Sequence, residues 1–219
     1  MGLSMSPSFW GIGRVVCTMN NLERLMSANV DLMTIIAHAK KMGWDSIGSN
    51  SLQRIVYLLK VLYAFNHEGE NDFGLYHFNV SIFGPYSELV DKSLTFLLSS
   101  QRLTGEKDGD VCLNSIDGVD AMSEEKVRWI IAILLILGKY GESKIFSFIV
   151  NDPLYDKSVK ANIDAEIDIN PENYTLQVLN DFKKAFEDTI KDTSSISKEE
   201  YISLYFDFLF SKIIKRGEE

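Results

Sequence analysis

Cysteine is nearly absent from this sequence: Cys17 and Cys112 are its only two among 219 residues. Two distant thiols, with no histidine close to either, do not make the four-ligand spacing of a structural zinc site. They read as the reduced cysteines of an intracellular protein. Long apolar runs are missing too. The longest, Trp129 to Leu137, falls well short of the ~20 residues a membrane-crossing helix needs. No P-loop and no nucleophile elbow occurs, and Gly11-Ile12-Gly13 lacks the preceding strand and third glycine of a dinucleotide fingerprint. Basic residues are in deficit, leaving a net charge of -9 that repels phosphate backbones on average. These absences predict a cytoplasmic protein with no cofactor, no metal, no membrane contact and no catalytic signature.

What is present is helical periodicity. Residues 1–18 carry one basic residue and no long apolar run, so they do not resemble a secretory signal and read as an uncertain N-terminal extension. Asn20 or Asn21 then caps a helix to about Met42, with Leu22, Leu25, Met26, Leu32 and Ile36 on one stripe and Gly43 closing it. Ser49-Asn50-Ser51 offers the cap of a second helix reaching about Asn66. Leu75–Ile82 alternates as a strand with Tyr76, Phe78 and Val80 on one face, and Gly84-Pro85 breaks it before a helix from Tyr86 to about Ser100. Leu103–Gly105 and Val111–Leu113 flank a hairpin turn at Asp108-Gly109. Ser123 caps an apolar helix to about Tyr140, and a short helix follows until Asp152-Pro153 stops it. Residues 156–174 read as polar connection, and helices over 172–191 and 197–215 complete the chain.

That order predicts a mainly α (α+β) fold: a winged-helix-like domain over 19–120 with a small β-hairpin, and a C-terminal helical region over 121–219. In such a domain the helix after Gly84-Pro85 would read DNA. Its early residues include Glu88 and Asp91 against a single Lys92, which favours contact with protein over phosphate. Glu88 and Asp91 are therefore partner-contact candidates. So are Tyr201, Tyr205 and Phe208, which give the last helix an aromatic face that packs on the core or on a partner. His38 reads as a core or groove histidine. His67 with Glu68, Glu70 and Asp72 is the one metal-like cluster, and it lacks the glycine and terminal glutamate of an EF-hand loop.

Two segments carry more. Ser51-Leu52-Gln53-Arg54-Ile55-Val56-Tyr57, then an aromatic strand, then Phe83-Gly84-Pro85-Tyr86-Ser87, resembles the bacterial YwgA-like proteins and more distantly the Panacea domain of SocA-type antitoxins. The resemblance spans roughly residues 20–155, carried by Leu52, Gln53 and Tyr57 in one motif and Gly84, Pro85 and Tyr86 in the other. Ser51 and Arg54 depart from it where lysines are common, and the later His and Trp positions of Panacea domains have no counterpart. Similar small subunits accompany SMC-like ATPases and nuclease effectors in bacterial defence systems of the Lamassu or ABC-3C kind, so the resemblance implies an accessory or adaptor subunit of an anti-phage or anti-plasmid complex. An antitoxin or DNA-binding regulator is the alternative, and an enzyme grouping carboxylates with His67 or His77 is the third. The motif residues themselves read as framework: Leu52 and Tyr57 core, Gln53 satisfying a backbone group, Gly84-Pro85 a tight turn.

Overall fold

The structure, a computed structural model, describes residues 20–114, 122–161, 165–190 and 192–217. The N-terminal extension, Cys17, the glycine pair at 11 and 13, and the boundary at 120 lie outside these residues. The chain is mainly helical with small antiparallel sheets. It opens with α1 (Asn21–Lys41), whose N-cap Asn20 accepts from the Glu23 amide while the Glu23 carboxylate accepts from the Asn20 amide. Gly43, at φ 90°, turns the chain out of it.

Next come β1 (Ile47–Gly48), α2 (Ser49–Val61) and α3 (Tyr63–Asn66). The second helix ends earlier than its periodicity predicts, for a local reason. The carbonyls of Leu59, Lys60 and Val61 are taken by side-chain donors, namely Trp129 Nε1 at 3.0 Å, Asn71 Nδ2 at 3.0 Å and Asn173 Nδ2 at 3.0 Å. With those acceptors diverted, a second short helix restarts at Tyr63. Its expected cap also moves: Gly48 occupies the N-cap of α2, and no side chain caps there.

A hairpin follows, of β2 (Asn79–Ser81) and β3 (Gly84–Tyr86), paired Asn79 to Tyr86, Val80 to Pro85 and Ser81 to Gly84. Here the sequence expectation needs correction. Gly84-Pro85 is not a break leading straight into a helix; it is the return strand, and the turn lies one step earlier at Ile82-Phe83. Proline is tolerated because β3 pairs on one side only. The helix α4 starts at Glu88 and ends at Ser99. Tyr76, Phe78 and Val80 are all buried, as their alternation predicts, although strand pairing covers only the last part of that segment.

The wing is β4 (Leu103–Gly105) and β5 (Asp110–Leu113), turning at Asp108-Gly109 as expected. The third strand of its sheet is β1, which pairs with β5 (Ile47 to Val111, Gly48 to Asp110), giving the order β1-β5-β4. Helix, strand, helix, helix and wing is the winged-helix order, with α3 and the β2–β3 hairpin inserted between α2 and α4. The Gly48 amide donates outside the sheet, to Glu142 Oε1 at 2.6 Å.

Ser123 caps α5 (Glu124–Gly138), a single 3-10 turn leads into α6 (Ile145–Val150), and then α7 (Pro153–Ala161), α8 (Tyr174–Thr189) and α9 (Lys198–Gly217). Helix α7 stands where polar connection was expected: Asp152-Pro153 stops α6 and starts α7, with proline in its first position, where a missing N–H costs nothing. Helix α8 starts at Tyr174, two residues later than expected, with Asn173 as its cap. Helix α5 packs on α1 and α2, and α6 packs on α2, so wing domain and helical region share one core. Across it, Lys126 of α5 pairs with Asp31 of α1 at 2.7 Å, both side chains buried, and the Tyr76 hydroxyl donates to the other carboxylate oxygen at 2.9 Å. No helix among the described residues is long and apolar enough to cross a membrane.

Candidate functional site

The two sequence motifs meet in space. Leu52 and Tyr57 are fully buried in the core. Gln53 grips the residue before α4 with both ends of its amide: Oε1 accepts from the Ser87 N–H at 2.9 Å, and Nε2 donates to the Ser87 carbonyl at 3.2 Å. Arg54, one step along α2, aims its guanidinium at the Phe83 carbonyl, with Nη2 at 2.7 Å and Nε at 3.3 Å. Gly84 has φ 114°, and a Cβ there would lie 3.4 Å from Arg54 Nε, so glycine serves both the backbone angle and the approach. Ser81 closes the turn by donating its hydroxyl to the Gly84 carbonyl at 2.7 Å, and the Tyr155 hydroxyl donates to the Ser81 carbonyl at 2.9 Å. Helices α2 and α7 thus hold the hairpin from below.

Tyr57 belongs to the same support. Its hydroxyl donates to Asp152 Oδ2 at 2.7 Å, the Thr175 hydroxyl donates to Oδ1 at 2.7 Å, and the Tyr155 N–H donates to Oδ2 at 3.0 Å. No cation pairs with this carboxylate among the described residues. Burial pushes the Asp152 carboxyl above the ordinary carboxylate range, against the pull of those donors, and burial beside that carboxylate pushes the Tyr57 phenol up as well. One buried acceptor therefore joins α2, α7 and α8.

What this frame presents is apolar. At the turn, Ile82 is 79% exposed and Phe83 60%. Beside them a groove of about 260 Å³ runs between the hairpin and the helices α6 and α7, walled by Val80, Ile82, Phe146, Val150, Tyr155 and Val159. Phe146, Val150 and Val159 are themselves exposed. The Arg54 guanidinium stacks over the Phe146 ring at 4.6 Å, and no carboxylate lies within ion-pair distance of it among the described residues. Neither Ile82 nor the α6–α7 wall stood out in the sequence, because an isolated Ile-Phe before Gly-Pro reads as strand end.

The other predicted contact residues are placed differently. Tyr201 and Tyr205 are each 2% exposed, packed against Phe186 and Phe182 of α8, so the aromatic face of α9 is mostly core and not a free surface. Phe208 is exposed, beside Phe182 and under the Lys212 ammonium. Glu88 lies on the outer face of α4 but pairs with Lys92 at 2.7 Å, and Asp91 pairs with Lys107 of the wing at 3.0 Å. The outward acidity is thus locally balanced. Tyr86 is exposed beside Asp91 and Lys107, lining a second small cavity with them. His77 pairs with Glu166 at 2.8 Å. His67 stacks on Tyr63 and meets Trp129 edge-on, with Glu125 at 3.9 Å and Glu199 across a shallow cavity. The cluster with Glu68, Glu70 and Asp72 does not assemble, and no group of metal-binding side chains forms among the described residues. No family model, no curated protein and no solved structure matches the chain.

Proposed function

We propose that this chain is a non-catalytic adaptor that docks a larger protein subunit through the Ile82-Phe83 tip and the groove beside it. The observation that carries the reading is the tip itself. Turns are ordinarily polar, and here two large apolar side chains are held outward by a hairpin braced from Gln53, Arg54 and Tyr155. Burying an Ile or Phe side chain gains about 1.5–3 kcal/mol each, enough for the pair to anchor an interface. The occupant that fits is an apolar segment with an acidic residue placed to meet the unpaired Arg54 guanidinium. The motif resemblance supplies the partner class: an SMC-like ATPase or nuclease effector of a bacterial anti-phage or anti-plasmid defence complex.

The test is co-expression with the product of a neighbouring ATPase or nuclease gene, followed by pull-down and gel filtration. The chain should co-elute with it. Ile82→Asp with Phe83→Asp should weaken the association by at least about 100-fold, while the thermal midpoint stays within the small range of surface substitutions. Co-elution that survives the double substitution would place the interface elsewhere, and a chain that elutes alone would sink the reading.

The winged-helix order supports a second reading, an antitoxin or DNA-binding regulator. On this reading, α4 enters a groove and the wing follows the backbone. Lys92 of α4 and Lys107 of the wing turn are each paired to a carboxylate, so binding through them would begin at an electrostatic cost. A gel-shift titration with the promoter of its own operon at low salt decides it: a shift that fades steeply as salt rises supports regulation, and none removes it.

A further inference from the structure

A larger cavity, of about 510 Å³, opens on a different face, between the first turns of α1 and α4. Arg24, Leu25, His77, Ser87, Leu89 and Lys92 line it. Three observations there point the same way. The first turn of α4 has no capping side chain, so its N–H groups face the cavity end of the helix without a side-chain acceptor. Ser87, in the N-cap position, is 1% exposed and its hydroxyl has no partner, although buried hydroxyls are normally satisfied. Its main chain is held on both sides by Gln53, so the residue is fixed in place. Third, Arg24 donates at 2.7 Å to the Leu75 carbonyl and has no carboxylate within ion-pair distance among the described residues.

We propose that this cavity binds a small phosphate-bearing molecule, independently of the partner groove. The phosphate oxygens take the Ser87 hydroxyl and the first-turn N–H groups of α4; Arg24 supplies the opposing charge, and Lys92, already shared with Glu88, adds only part of its own. Leu25 and Leu89 cover an apolar part of the ligand. Glu88 also lines the wall and repels an anion. Its carboxylate is held by Lys92 at 2.7 Å, which offsets the repulsion without removing it. A site built this way has a characteristic response to charge: it weakens when Arg24 or Lys92 is neutralised and strengthens when Glu88 is.

Amide-resolved NMR titrations of the full chain with inorganic phosphate, phenyl phosphate and sodium chloride test this. Both phosphates should shift the Glu88 and Leu89 amides saturably, phenyl phosphate at lower concentration, with chloride inactive at matched ionic strength. Arg24→Gln should raise the apparent Kd about tenfold and Glu88→Gln should lower it severalfold. Lys92→Gln, at an exposed position, repeats the first test where Arg24→Gln disturbs folding. The proposal is overturned by an absence of saturable shifts, by shifts that chloride reproduces, or by shifts indifferent to all three substitutions. A DNA duplex that moves these amides when neither small phosphate does would also overturn it, assigning the face to nucleic acid.

Discussion

Lys126→Met should lower the unfolding free energy by about 3–5 kcal/mol, the cost of leaving a buried charge without its partner. Lys126 and Asp31 meet at 2.7 Å with almost no side-chain exposure, and the ammonium also sits over the Phe73 ring at 4.6 Å. Burial already outweighs Lys126 and holds the Asp31 carboxyl above the usual range; removing the ammonium raises it further. The damage is therefore pH-dependent. A carboxyl whose folded pKa is raised supports the fold most below its unfolded value and withdraws that support as pH rises through the folded value. Lys126→Met should accordingly be least harmful in acid and most harmful at neutral pH. Adding Asp31→Asn removes the stranded charge while keeping an acceptor for the Tyr76 hydroxyl, so the double variant should recover most of the loss. Urea unfolding of the four proteins in the cycle measures it; a double variant no better than Lys126→Met alone would show that the pair is not the cause.

Asp152→Ala should be comparably severe. It strands the Tyr57 hydroxyl, the Thr175 hydroxyl and the Tyr155 N–H, all buried, at about 1–3 kcal/mol for each donor left unpaired. Tyr57→Phe removes one donor from a carboxylate that keeps two, and should cost about 1 kcal/mol. Asp152→Asn separates charge from hydrogen bonding. Since burial raises the Asp152 carboxyl above its ordinary 3.8, the wild type's stability relative to the Asn variant should be greatest in acid and fall as pH rises through the folded value. A relative stability that instead grows with pH would mean the carboxylate is favoured in its charged form.

Features written in neighbouring residues were legible in the sequence. The cap at Asn20, one of the two asparagines expected to supply it, the Ser123 cap before the apolar helix, and the Asp108-Gly109 turn all depend on spacings of a few positions, and all three are found. Features that depend on distant partners were not. Strand β1 is two residues long and has no period to read; it is a strand only because β5 returns beside it. Gly84-Pro85 carries a strong turn signal, but pairing with Val80 and Ser81 makes it a strand and moves the turn to Ile82-Phe83. Helix α7 buries little beyond Leu154 and Tyr155, too few for an apolar stripe, and its start depends on Asp152. The candidate groove stayed hidden for the same reason: its walls come from β2, α6 and α7, far apart along the chain. In Gln53 the residue type suggested a backbone partner, while only the fold names it as Ser87.

Strand β1 also bears on how the chain assembles. Ile47 and Gly48 gather β5 on one side, and the Gly48 amide takes a carboxylate 94 positions along the chain on another. Local helices gain contacts as soon as they form, whereas this knot yields nothing until two long loops have closed. Such contact separation predicts that the β1–β5 pairing forms late in folding. The β4–β5 hairpin, docked through that strand, is expected to settle among the latest parts of the fold.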